Sequence, residues 1–135
     1  MAPSPSILGL DFGDIRVGLA IATLTARLPR PLATLEFNNV FFDELRSIIS
    51  QEQVREIVVG LPRGMEGQPT AQTATVQDFA AELKRRLKLP IHFQDEALTS
   101  KKAEAELHAR GKPYRPTDID ALAATYILDD YLNRL

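Results

Sequence analysis

The stretch Ile7-Leu8-Gly9-Leu10-Asp11-Phe12-Gly13-Asp14-Ile15-Arg16-Val17-Gly18-Leu19-Ala20-Ile21-Ala22 decides how this chain folds. Two apolar runs flank a short turn rich in Gly and Asp, the pattern of two strands joined as a hairpin. Asp11 closes the first run, where the backbone leaves the sheet. Removing even a neutral polar group from water costs on the order of 2–7 kcal/mol. A carboxylate at the end of an apolar strand is therefore either a turn residue, a role Asp favours, or a group held there for chemistry. The hairpin alone leaves both readings open.

Working outward, Thr23 to Pro31 reads as a loop and Leu32 to Phe37 as a third strand. Apolar residues at 41, 42, 45, 48 and 49 have helical spacing. Glu56 to Pro62 is a β-branched run ended by Gly and Pro, and reads as a buried strand. A glycine-containing loop, Arg63 to Pro69, leads into a helix over Thr70 to Leu87 with Val76, Phe79, Ala80, Leu83 and Leu87 on one stripe. Pro90 to Glu96 is a fifth strand ending in two carboxylates. Thr99 or Ser100 caps a third helix that stops at Gly111. Thr117 or Asp118 caps a last helix with Ile119, Leu122, Ala123, Tyr126, Ile127 and Leu128 on its buried side. The order β-β-β-α-β-α-β-α-α predicts an α/β protein: a five-stranded mixed sheet, hairpin first and βαβ crossovers after, with helices on both faces.

The 135 residues, 44% hydrophobic, suit one domain spanning 1–135. The absence of Cys excludes disulfides, thiolate zinc sites and a Cys nucleophile. The first residues lack signal-peptide character, and no apolar run approaches the ~20 residues of a membrane span. A cytoplasmic protein without membrane contact, monomeric or homodimeric, is expected. The net charge of -2 is unevenly spread, with +5 between Lys84 and Arg115 and -7 elsewhere. A basic segment in an acidic protein marks a footprint for a polyanion, although cations at the end of a helix also answer its dipole.

Acids recur at element ends. Asp11 ends the first strand, Asp95 and Glu96 end the fifth, and Asp120 lies in the first turn of the last helix, close behind Asp118. Carboxylates meeting at one sheet edge repel unless a cation joins them, and hard divalent ions take such oxygens. Singly, each acid is also explained as a turn, cap or dipole residue. Strand alternation puts Asp95 and Glu96 on opposite faces without saying which faces Asp11. His92 on the same strand is read as structural.

The segments Asp11-Phe12-Gly13 with Arg16-Val17-Gly18-Leu19-Ala20, Val59-Gly60-Leu61-Pro62, Met65-Glu66-Gly67, Asp95-Glu96-Ala97-Leu98-Thr99 and Ile119-Asp120-Ala121-Leu122-Ala123-Ala124 resemble, in order, the motifs of the YqgF/RuvX family. The resemblance spans nearly the whole chain. It implies an RNase H-like fold and a metal-dependent nuclease, similar to Holliday-junction resolvases and linked to the small-subunit (16S) rRNA precursor, with branched DNA a further substrate. Carried over, Asp11, Glu96 and Asp120 are the catalytic acids and the ligands of Mg²⁺ or Mn²⁺, with Asp95 and Asp118 in reserve. Arg16, Lys101, Lys102, Arg110, Lys112 and Arg115 are the expected contacts to RNA or structured DNA. Ile15 and Ala97 depart from the family pattern, which has a basic residue at the first position and Arg at the second. Two other classes remain: a non-catalytic RNase H-like binding module for RNA or ribosome assembly, and one half of an actin-like nucleotide-binding protein.

Overall fold

The computed structural model describes residues 4–96 and 99–135, with backbone alone at 99 and 100. Ala97, one of the two departures, and the side chains of Thr99 and Ser100 lie outside the described set. The strands are β1 (Ser6–Phe12), β2 (Arg16–Thr23), β3 (Arg30–Glu36), β4 (Val54–Pro62) and β5 (Ile91–Glu96). The helices are α1 (Phe41–Gln51), α2 (Ala71–Leu87), α3 (Thr99–Ala109) and α4 (Pro116–Asn133).

The opening hairpin forms in the register Leu8↔Ile21, Leu10↔Leu19 and Phe12↔Val17. Gly13 N–H donates to the Arg16 carbonyl at 2.9 Å and closes the turn. A Cβ on Gly13 would stand 2.8 Å from that carbonyl oxygen, so the turn requires glycine. β3 pairs antiparallel with β2, while β4 and β5 add in parallel on the other side, giving the order β3-β2-β1-β4-β5.

The sheet is the expected mixed one, with helices on both faces. Its edge strand starts earlier than expected, at Arg30 rather than Leu32. Pro31 read as a strand breaker, but an edge strand tolerates a residue without an N–H, and the β2–β3 register shifts beside it, between Leu19 and Ala20.

Alternation sends Leu8, Leu10, Phe12, Ile57, Val59 and Leu61 to one face, where α1 and α2 cover them with Phe41, Leu45, Val76, Phe79 and Leu83. On the other face, Ile7, Ala20, Ala22 and Val58 meet Ala124, Ile127, Leu128 and Leu132 of α4. α3 packs outside α4 through Ala103 and Leu107 against Leu122 and Ala123. No helix among the described residues is long and apolar enough to cross a membrane.

α4 sits unusually low on the sheet because glycines lie beneath it. A Cβ on Gly18 would fall 2.0 Å from the Asp120 carbonyl oxygen, and one on Gly60 would fall 2.4 Å from Ile127 Cδ1. Thr34 of β3 ties down the start of the helix, its hydroxyl donating to the Thr117 carbonyl at 2.6 Å.

That start also differs from expectation. The cap is Arg115 rather than Thr117 or Asp118, Pro116 takes the first helical position, and Asp118 accepts the Arg115 N–H at 2.9 Å. Proline suits that position because its missing N–H would have had no partner there. Asp120 consequently lies in the second turn of α4, beyond the first-turn positions where an acid serves mainly the helix dipole.

Candidate active site

Asp11 occupies the penultimate position of β1, on the α4 face with Ile7 and Gly9, and pairs across the hairpin with Gly18. The absent side chain at Gly18 is what lets Asp120 of α4 come down beside that pair. Glu96 arrives from two strands away. The pairings Gly9↔Val58, Gly60↔Gln94 and Pro62↔Glu96 carry the Asp11 face across β4 to Glu96. The Glu96 carboxylate lies over Gly60, with Oε2 3.2 Å from where a Cβ would stand. Asp95 falls on the opposite face, largely exposed, and accepts from Arg63 Nε at 3.2 Å. The sheet register thus separates two acids that strand alternation by itself left equivalent.

Glu96 and Asp120 act electrostatically on Asp11. The Asp11 carboxyl is pushed up from its ordinary 3.8 to about 8, first by burial, then by the charge of Glu96, then by that of Asp120. Arg16 supplies the nearby positive charge: its Nε donates to Asp120 Oδ2 at 2.6 Å. That hydrogen bond and the Asp120 charge raise the Arg16 pKa and hold the guanidinium protonated. Among the described residues no three carboxylate or imidazole donors are already gathered tightly enough to cage a metal ion. The donor chemistry nevertheless fits a hard divalent cation, with oxygen ligands only and an acid that burial, and then the charges of Glu96 and Asp120, keep from ionising.

A family model described as "RuvX: Holliday junction resolvase" matches residues 5–134. The chain belongs to the RuvX family. A protein of Maridesulfovibrio salexigens is 42% identical over 95% of this chain and 98% of its own length. One of Pseudomonas putida is 36% identical over 98% and 97% respectively. Both carry the name "Putative pre-16S rRNA nuclease", so the chain is a member of a nuclease family. Among solved structures, T. thermophilus RuvC in complex with a Holliday junction substrate is 18% identical with a TM-score of 0.52, over 96% of this chain and 95% of that one. That likeness establishes the RNase H-like fold.

In this RuvX-family chain the expected nucleic-acid contacts divide into groups. Arg16 is joined to Asp120 within the carboxylate site. Lys101 and Lys102 stand exposed on α3, Lys102 with its ammonium 4.6 Å from the Tyr126 ring centre. Arg110 pairs with Glu106 at 3.3 Å and Arg115 with Asp118 at 3.8 Å. Arg110 and Lys112 join Pro31 and Tyr114 around a surface groove of about 280 Å³. A second depression of about 400 Å³, lined by Thr34, Arg115 and Thr117, lies beside it and shares Pro31, Asp118 and Ala121. His92 lies toward the far end of β5 from Glu96, within 2.9 Å of Glu56 Oε1 and stacked on Tyr131, a structural placement.

Sequence reasoning missed Gly18 and Gly60 as the floor of the site, and the pair Arg134–Gln94, in which Arg134 Nη1 donates to the buried Gln94 at 2.7 Å. Glycine inside a strand, a mark of close backbone approach, was the signal that pointed to the first two.

Proposed function

We propose that this protein is a metal-dependent nuclease that hydrolyses phosphodiester bonds in structured nucleic acid, with the precursor of small-subunit rRNA as its substrate. The chain 1–135 acts in this reading as one RNase H-like nuclease domain in the cytoplasm, where that precursor is processed. The observation that carries it is that Glu96 of β5 and Asp120 of α4 lie near enough to Asp11 of β1 for their charges to add to burial in raising its pKa. The rRNA precursor is supported by the names of the relatives.

Asp11, Glu96 and Asp120 would hold Mg²⁺ or Mn²⁺, which supplies activation of a water and stabilisation of the leaving oxygen. Asp11 would have to give up its proton to serve as a ligand, so loading would be favoured by rising pH. The glycine floor fixes α4, and with it Asp120, against the sheet that carries the other two acids; such rigid support is what a ligand set needs to keep its geometry. Arg110, Lys112 and Arg115 grip the phosphate backbone, giving salt-sensitive affinity with little sequence information. Asp95 and Asp118 stay outside the site, engaged with Arg63 and with the Arg115 N–H.

The test is cleavage of a structured RNA bearing precursor rRNA ends, and of a four-way DNA junction, by the wild type and Asp11→Asn in Mg²⁺ or Mn²⁺. The wild type is expected to cut the RNA and the variant to leave it intact. Undiminished cutting by the variant overturns the site. Nucleic-acid binding that persists in a chelator, with no cleavage in either metal, replaces the nuclease with a binding module.

A further inference from the structure

We propose that Arg16 is a built-in counter-ion of the carboxylate site, holding Asp120 while no divalent cation is bound and yielding it when one enters. The inference rests on the reading of Asp11, Glu96 and Asp120 as the cation-binding set.

The pair joins residues 104 positions apart, Nε to Oδ2 at 2.6 Å. Backbone constraints fix both ends. Arg16 opens β2, and its carbonyl is held by Gly13 N–H at 2.9 Å in a turn that admits no Cβ at Gly13. Asp120 is held from below, its carbonyl oxygen resting where Gly18 would carry a side chain. The two side chains therefore meet from anchored positions. The Asp120 side chain is 20% exposed and that of Arg16 37%.

Three carboxylates in one place repel, and a guanidinium on one of them relieves part of that repulsion. An entering cation would relieve that repulsion too, and it draws on the same Asp120 carboxylate. Arg16 and the cation thus compete for Asp120, and whatever the ion pair contributes in the free protein is subtracted from cation affinity. A half-exposed pair of this kind corresponds to about two- to fivefold in affinity. Arg16 already lines an open depression together with Gly13, Asp14, Ile15 and Asp120, which leaves a released guanidinium room to turn outward. There it meets a phosphate with the planar fork that suits such oxygens. Cation loading would in this way free the residue that grips the substrate. A purely structural Arg16–Asp120 bridge predicts the opposite, since removing it would loosen Asp120 and weaken the site.

The experiment measures Mg²⁺ binding calorimetrically, without nucleic acid, for the wild type, Arg16→Gln and Arg16→Lys. The Arg16 Nε–H resonance of the wild type is followed by NMR in the same titration. Arg16→Gln is expected to bind Mg²⁺ about two- to fivefold tighter, with Arg16→Lys between. The Nε–H signal should shift and lose its protection from exchange with water at saturation. Equal or weaker binding by Arg16→Gln, or a resonance unmoved by saturating Mg²⁺, overturns the proposal. Should Arg16→Gln fail to fold, Arg16→Lys and the resonance decide. If the wild type binds no Mg²⁺, the ligand set itself falls and the counter-ion role with it. Binding that is lost in Asp11→Asn but unchanged in Arg16→Gln overturns the counter-ion role alone.

Discussion

Replacing Asp11 by Asn keeps the shape of the side chain and removes its charge, and the account predicts a more stable protein. The Asp11 carboxyl titrates at about 8 in the fold, against an ordinary 3.8, through burial and then the charges of Glu96 and Asp120. In the unfolded chain it ionises near 3.9. Between those values the folded protein keeps a proton that the unfolded chain has released. The stability it contributes is complete below pH ~4 and is lost progressively as pH rises toward 8. At about 1.36 kcal/mol per pH unit the full effect is on the order of 5 kcal/mol, and water entry and relaxation around the charge reduce it to about 2–3. With roughly 4 °C per kcal/mol for a domain of this size, Asp11→Asn should melt about 8–12 °C above the wild type at pH 8. At pH 4 the two should nearly coincide. The assay is thermal unfolding by circular dichroism in chelator at pH 4, 6 and 8. Added Mg²⁺ should then raise the wild type alone and narrow the gap, because only the wild type binds it. A gap independent of pH, or a variant less stable than the wild type at pH 8, refutes the reasoning.

Gly18→Ala should cost about 3 kcal/mol or more, because its Cβ would meet the Asp120 backbone, which cannot turn aside. Gly60→Ala meets the tip of the Ile127 side chain and should cost about 1 kcal/mol; urea midpoints of the two variants test the contrast. Glu96→Gln should lower the cleavage rate roughly 100-fold or more, whereas Asp95→Asn, on the other face and paired with Arg63, should stay within about twofold; single-turnover rates decide. Lys112→Ala should weaken RNA binding evenly across sequences and reduce the slope of log affinity against log salt by about 1, read by fluorescence anisotropy on Asp11→Asn protein.

What was legible in the sequence was local. The hairpin from Ile7 to Ala22 could be read because alternating apolar residues and a Gly-Asp turn specify it within sixteen positions. Pro31 misled, since a proline breaks a strand only where its missing N–H is needed, and whether β3 is an edge depends on the whole sheet. The start of α4 was placed too late for a similar reason: Asp118 was read as a cap in its own right, and its use together with Pro116 in one helix start was not seen. Non-local geometry was out of reach. Choosing Glu96 over Asp95 on physical grounds requires the register of β1, β4 and β5 together, so the motif had to decide it beforehand. The Arg16–Asp120 pair likewise depends on glycines in two strands bringing a distant helix down. Arg16 was expected as a contact to nucleic acid, and its pairing with Asp120 was not foreseen.

The central claim is that Asp11, Glu96 and Asp120 form one cation-binding site. Crystals soaked in Mn²⁺ and measured for anomalous scattering test it most directly. The account predicts an anomalous peak bonded to oxygens of all three carboxylates, at roughly 2.0–2.2 Å, with Arg16 withdrawn from Asp120. A peak elsewhere, or none at these strand ends with the Arg16–Asp120 pair intact, would contradict it.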